Sequence, residues 1–263
     1  MSYKFITVEK RGRLTIVAIN RPEVRNALHI PANQELDAAF NEFADDPEAW
    51  VAILTGTGTQ SFSAGNDLKW QAENGVAALV AGLRSLRGGF GGITARFDCF
   101  KPLIAAVNGN ALGGGFEMAL ACDIVVAAEG AVFGLPEPKV GLVAGAGGVQ
   151  RLPQKMPQQL AMGLILTGGS LSAAKALELG LVNELAPSDQ VLSRALAWAD
   201  RILACAPLAV RAAKEGAWLG RDKPLSEVVG RLYPGLQAAL NSEDIREGAA
   251  AFVQKRKPEW KGR

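Results

Sequence analysis

Apolar positions follow two patterns along the chain. In the first half they gather in short, unbroken, β-branched runs, each closed by turn residues. Leu14–Asn20 (LTIVAIN) stops at Arg21-Pro22, Val51–Thr55 (VAILT) at Gly56, and Pro102–Val107 (PLIAAV) at Asn108-Gly109. Asp123–Ala128 (DIVVAA) and Ala131–Leu135 (AVFGL) complete the set. Unbroken runs of this length predict strands covered on both faces. Between the first two runs, Leu36, Ala39, Phe40 and Phe43 recur at helical spacing within Ala32–Phe43, which predicts a helix. Strands alternating with helices predict an α/β layer fold.

The second half changes period. Helices are expected over Gly147–Lys155, Pro157–Leu166, Ser172–Leu179, Ser188–Cys205, Pro207–Leu219, Leu225–Ala239 and Ser242–Arg256. Pro207 and Pro224 stand at or just before helix starts. Ser242 precedes Glu243 and Asp244, a cap followed by two first-turn acids. No repeat of fixed period and no low-complexity linker interrupts the chain.

Composition narrows the class. At 263 residues, 49% hydrophobic and 21% charged, the chain is globular and long enough for one core without disulfide or metal staples. Lys+Arg 28 against Asp+Glu 26 gives +2, which argues against an extended basic surface for nucleic acid or acidic membrane. No run of 18 apolar residues offers a membrane span. Cys99, Cys122 and Cys205 form no regular pattern, and the charged amino end does not read as a secretion signal, so a reducing cytoplasm is expected. His29 is the only histidine, which excludes a two-histidine metal site within the chain; no metal is expected, and His29 reads as structural.

Glycine is the outlier, at 30 residues, well above the usual share of about 7%. The chemistry is best sought where glycines cluster. Gly113-Gly114-Gly115 follows a strand and a turn and opens the apolar run Met118–Cys122. That is a helix start whose first amides are uncovered and can meet an anionic oxygen. Glu117 lies one turn from Gly114, on the same side. By itself the tripeptide reads more readily as a glycine-rich turn. Phe62–Leu68 (FSAGNDL) is a second loop with small residues around a glycine, and Asp67 is placed to cap the next helix or turn. Leu135-Pro136-Glu137-Pro138 holds a glutamate stiffly between prolines, as a positioned acid or base would be held, or as a solvated loop carboxylate. Gly145-Ala146-Gly147-Gly148 starts a helix aimed at the same region.

Taken together, the chain resembles the enoyl-CoA hydratase/isomerase (crotonase) superfamily from about Phe5 to Arg263. The resemblance rests on five stretches in order: INRPEVRNAL, FSAGNDL, PLIAAVNGNALGGGFEMALACDIVVAA, FGLPEPKVGL with GAGGVQRLP, and AFVQKRKPEWKGR. It implies a spiral of ββα turns followed by a C-terminal helical trimerisation region, with 1–200 as the core and 201–263 as the helical part for oligomerisation and CoA contact. It implies a homotrimer or dimer of trimers acting on an acyl-CoA thioester, with coenzyme A part of the substrate and no permanently bound cofactor. Matched by motif, the oxyanion-hole amides are those of Asn66 and Gly114, and the catalytic carboxylates are Glu117 and Glu137. Residues expected to line the CoA moiety and its approach are Val24, Arg25 and Ala27 of the segment 24–27, with Ser63, Ala64, Asp67, Leu68, Gly113 and Pro136. Phe252 and Lys255, of the same or a neighbouring subunit, are added by the C-terminal helix.

Members that only isomerise double bonds usually lack one glutamate of the pair. Retention of both implies an enoyl-CoA hydratase, adding water to a 2-enoyl-CoA to give a 3-hydroxyacyl-CoA, and leaves open which carboxylate holds the proton. Three positions depart from the commonest pattern: Asn66 for a small apolar residue, Asn110 for an aromatic and Ala144 for proline. Asn66 points away from a simple straight-chain substrate. NSEDIREG and KRKPEWKGR resemble the carnitinyl-CoA dehydratase branch, and Trp70 would suit a cationic or aromatic acyl group. Isomerase action or RNA binding without turnover are further alternatives. The segment 70–96, with Gly88-Gly89 and Gly91-Gly92, is expected to form a mobile wall of the acyl pocket.

Overall fold

Each unbroken apolar run becomes a strand buried along most or all of its length. The structure, a computed structural model, describes residues 3–263; Met1 and Ser2, at the start of the charged amino end, lie outside them. The chain opens with β1 (Ile6–Arg11) and β2 (Leu14–Ile19), paired antiparallel from Ile6 opposite Ile19 to Arg11 opposite Leu14. β1 escapes the sequence pattern because only Ile6 is fully buried; it forms a half-exposed sheet edge. Helix α1 (Ile30–Asp45) runs slightly beyond the expected span. His29 caps it, its Nδ1 accepting from Ala32 N at 3.2 Å. The His29 ring also lies edge-on to Phe5, a structural role.

From here the chain winds between two sheets. β3 (Val51–Gly56) enters one sheet and β4 (Ser61–Ser63) the other, followed by α2 (Leu68–Asn74) and α3 (Val76–Arg84). β5 (Leu103–Val107) and β6 (Asn110–Leu112) repeat the step and lead into α4 (Gly114–Ala121). β7 (Ile124–Ala128) and β8 (Val132–Gly134) repeat it again, before α5 (Gly148–Lys155) and α6 (Gln158–Thr167). β9 (Ser170–Ser172), α7 (Ala173–Glu178) and β10 (Glu184–Ala186) close the winding. The larger sheet has the order β1-β2-β3-β5-β7-β10, parallel after its first pair; the smaller runs β4-β6-β8-β9, with only its last pair antiparallel. This is the spiral of ββα turns expected from the resemblance.

Helix α8 (Val191–Leu203) covers the larger sheet with Val191, Ala195 and Ala199, all fully buried. Helices α9 (Pro207–Leu219), α10 (Leu225–Val228), α11 (Pro234–Leu240) and α12 (Glu243–Val253) follow. The single helix expected over Leu225–Ala239 is in fact two. Gly230 adopts a left-handed φ of 81° and Pro234, lacking an amide proton, restarts the helix. The tail returns to the body of the fold: Trp260 Nε1 donates to Ala204 O at 2.8 Å.

Helix α4 is the element that matters most for function. Every residue from Gly114 to Leu120 is buried, so any polar side chain it carries stands in the core. Within the segment 70–96, α2 and α3 carry no buried residue, whereas the glycine stretch 88–92 is packed against α1. Asp37 of α1 accepts from Gly88 N at 2.7 Å and pairs with Arg96 at 3.2 Å, and Asn33 accepts from Gly91 N at 2.7 Å. A methyl group on Gly92 would meet Asp37 Cα at 2.7 Å. These glycines permit a close approach between the wall and α1.

Candidate active site

Two loops meet at the start of α4. β6 ends at Leu112, and Gly113 turns the chain with φ 54° and ψ −127°, a conformation open to glycine. Gly113 N is used, donating to Gly134 O at 2.9 Å. The amide of Gly114 comes next, on the first residue of the helix. The second loop joins β4 to α2. Gly65, with φ 85°, lies so close that a Cβ there would stand 2.6 Å from Gly114 N and 2.7 Å from Leu112 O. Leu28 fixes this loop by donating to Gly65 O at 2.7 Å and accepting from Asp67 N at 3.1 Å. Between those two bonds lies the amide of Asn66. Among the described residues neither Asn66 N nor Gly114 N donates to another group of the chain. Two uncommitted amides are thus brought together, one of them backed by the positive end of a helix.

The carboxylates come from different elements. Glu117 projects from the first turn of α4 and is 3% exposed; its Oε1 accepts from Gly148 N, the first residue of α5, at 2.8 Å. Burial pushes its pKa from 4.5 up to about 7; the amides of Gly148 and Ala146 and the charge of Arg151 pull the other way, and Glu137 adds to the rise. Glu137 opens a short 3-10 turn, Glu137–Val140, fixed between Pro136 and Pro138. Burial also raises its pKa. Its Oε1 lies against Gly113, where a Cβ would stand 2.8 Å away, and its Oε2 is buried with no partner. The 20-residue separation in sequence collapses to two carboxyls near the Gly113-Gly114 turn, each disfavoured as an anion.

Asn66 Nδ2 donates to Gln71 Oε1 at 2.5 Å, whereas its Oδ1 is buried without a partner. Buried polar atoms without partners are uncommon in folded chains, and two of them lie at this one site, as they would for a polar ligand. Of the other two departures from the common pattern, Asn110 serves the small sheet, accepting from Val132 N at 3.1 Å. Ala144 packs in the core at 3% exposure.

The remaining expected residues divide into two groups. The segment 24–27 is welded to 61–67: Ala64 N donates to Arg25 O at 3.0 Å and Ser63 Oγ to Asn26 O at 2.8 Å. Ser63 and Ala27 are buried, and Asp67 is spent on capping α2 and on an ion pair with Arg21 at 2.9 Å. These three side chains shape the loop. Val24, Arg25 and Leu68 are exposed on the outer face, and Ala64, Gly113 and Pro136 flank the turn itself. Phe252 and Lys255 stand apart at the end of α12, Phe252 being 85% exposed, and neither lines the cavity beside Glu117.

That cavity, of about 580 Å³, was only partly legible in the sequence. Phe90 lies on one side of it, against Gly114, and Ala146 and Gly147 on the other, beside the amides that hold Glu117. Arg84, Arg151, Trp218 and Arg221 also line it. Trp70 is not among the residues lining this cavity, and neither are Glu117, Glu137, Asn66 and Gly114, which adjoin it through Phe90 and Ala146. Among the described residues no cluster of three or more His, Cys, Asp or Glu could hold a metal, and no helix is long and apolar enough to cross a membrane.

Comparisons with known proteins agree with this geometry. The enoyl-CoA hydratase/isomerase family model matches residues 9–263. A carnitinyl-CoA dehydratase of Salmonella typhi is 42% identical over 258 residues, 97% of each chain. The crystal structure of an enoyl-CoA hydratase from Mycobacterium tuberculosis superposes with a TM-score of 0.90 at 42% identity, covering 98% of this chain and 99% of that one. An enoyl-CoA hydratase from Bacillus anthracis gives 0.92 at 34% identity, with 99% and 100% covered. A match this long, over a spiral of ββα turns with paired glutamates beside two open amides, places the chain in the enoyl-CoA hydratase/isomerase family.

Proposed function

We propose that the protein is an enoyl-CoA hydratase, adding water reversibly across the 2,3 double bond of an enoyl-CoA thioester. The observation that carries this reading is the pairing of Glu117 and Glu137, two buried carboxyls with raised pKa, beside the uncommitted amides of Asn66 and Gly114. The amides receive the thioester oxygen as negative charge builds on it. Donors held in place this way are worth about 3–4 kcal/mol each. Glu117, held by the Gly148 and Ala146 amides, carries the negative charge and takes a proton from water as its oxygen bonds to Cβ. Glu137, whose buried Oε2 lacks a partner, carries the proton and delivers it to Cα. One proton enters the pair and one leaves, so proton exchange between the two restores the starting state.

The same machinery run backwards removes water, as the name of the carnitinyl-CoA dehydratase relatives describes. Residues Val24, Arg25, Ala64, Leu68 and Pro136 border the approach for coenzyme A, with the buried Ala27, Ser63 and Asp67 holding that surface in shape. No permanently bound cofactor is part of the reading. The helices of 201–263 serve oligomerisation in a homotrimer or dimer of trimers. Support comes from apolar side chains left uncovered there, including Leu225 at 73%, Val229 at 75% and Phe252 at 85% exposure. A neighbouring subunit is the route by which Phe252 and Lys255 would reach a CoA. Cytoplasmic placement accords with the free cysteines.

The test is turnover of crotonyl-CoA by the wild type and by Glu117→Gln and Glu137→Gln, with CoA affinity measured alongside. Each variant is expected to lose at least about a hundredfold in kcat while retaining CoA binding. Full activity in both variants would overturn the assignment.

A further inference from the structure

The lining of the cavity beside Glu117 carries three arginines, Arg84, Arg151 and Arg221, against one carboxylate, Asp222. The chain as a whole is nearly balanced at +2, so this is a local concentration of charge. Among the described residues none of the three arginines forms an ion pair. Arg151 is 7% exposed and fixed, donating to Thr94 O at 2.6 Å and to Ala146 O at 3.2 Å. Burial lowers the proton affinity of Arg151 and of the half-buried Lys155, and Arg221 stands near enough to add to both effects. Like charges gathered on the wall of a ligand cavity, none of them in an ion pair with a protein carboxylate, are relieved by an anion in the ligand.

The aromatic faces point the same way. Arg151 lies over the Phe97 ring at 5.8 Å and Arg221 over Trp218 at 5.1 Å. Each of these rings therefore already carries a cation on one face. A cationic acyl group would meet three like charges on this wall. Val80, Leu83 and Phe90 give the same cavity an apolar stretch suited to methylene groups.

We propose that this cavity takes an acyl group ending in a carboxylate, the mono-thioester of an enoyl dicarboxylic acid. Arg221 and Arg84 are its counter-ions and Arg151 supplies fixed background charge. The proposal rests on the acyl-CoA reading of the site, and it separates this chain from relatives named for the carnitinyl group. Arg84 and Arg221 are exposed, so glutamine at either position leaves the core untouched.

The experiment compares three thioesters with the same CoA: hex-2-enedioyl-CoA, hex-2-enoyl-CoA and crotonobetainyl-CoA. In parallel, calorimetry measures Kd for the saturated pair adipoyl-CoA and hexanoyl-CoA, which needs no turnover. The carboxylate-ended members are expected to lead the methyl-ended ones by about tenfold in kcat/KM, mostly through KM, and similarly in Kd. The lead should shrink at high salt, and the Arg84→Gln/Arg221→Gln double variant should bring both ratios to within about twofold of one. Equal Kd values for the saturated pair, a lead for crotonobetainyl-CoA, or a carboxylate preference unchanged in the double variant would overturn it. A calorimetric preference with no hydration of any thioester would uphold this proposal and overturn the hydratase reading instead.

Discussion

Glu117 is a group the fold holds at a cost, and Glu117→Gln should reveal how large that cost is. Its pKa rises from 4.5 to about 7 because α4 places it in the core at 3% exposure. A carboxyl with a raised pKa destabilises the native state as pH climbs from the unfolded value through the folded one. The native state binds more protons over that range, so stability is full below about pH 4.5 and lost by about pH 8. At about 1.4 kcal/mol per tenfold change in proton affinity, the full effect is roughly 3 kcal/mol. Glutamine keeps a carbonyl for the Gly148 amide, now 2.8 Å from Oε1, but cannot ionise. The assay is urea unfolding of wild type and variant at one protein concentration, at about pH 5 and about pH 8.5. The stability of Glu117→Gln relative to wild type should improve by roughly 2–3 kcal/mol between these conditions, while its hydratase activity is lost. A difference between the two proteins that stays level across the range would refute the desolvated-carboxyl reasoning.

Two further substitutions probe the supports of the site. Gly65→Ala puts a methyl group 2.6 Å from Gly114 N at a residue with φ 85°. It should lower kcat about a hundredfold or more by disturbing the paired amides, with thermal unfolding measured beside it to report the backbone strain. Asp37→Ala removes the partner of Gly88 N, Arg87 N and Arg96, leaving a guanidinium that is 1% exposed without its counter-charge. It should cost about 3–5 kcal/mol in urea unfolding and loosen the Phe90 wall; a loss below about 1 kcal/mol would show that this network does not hold the wall.

The parts of this molecule that could be read from the sequence are those where local pattern and tertiary role coincide. β2, β3, β5 and β7 are buried on both faces, so their apolar runs are nearly unbroken. β4, β6, β9 and β10 are only three residues long, too short to carry a period, and β1 is a half-exposed edge. The GGGFE segment reads more readily as a glycine-rich turn by itself and was legible only in company with the other motifs. Its energetics were not. The amides that hold Glu117 come from Ala146 and Gly148, about 30 residues further on, where the glycine cluster at 145–148 was the only hint. The arginine wall leaves no signal in the sequence, because Arg84, Arg151 and Arg221 are far apart along the chain and share no motif. Ser63 and Asp67 matched a motif but proved to be internal supports, a distinction that only hydrogen-bond partners reveal.

The most direct single measurement is the reaction of the wild type with crotonyl-CoA in deuterium oxide, followed by enoyl-thioester absorbance and by mass and NMR analysis of the product. The paired carboxyls require loss of the chromophore and a 3-hydroxybutyryl-CoA carrying one deuterium at Cα, with neither seen in Glu137→Gln. Persistent absorbance while CoA is bound, or a shifted double bond without added oxygen, would contradict hydration by Glu117 and Glu137.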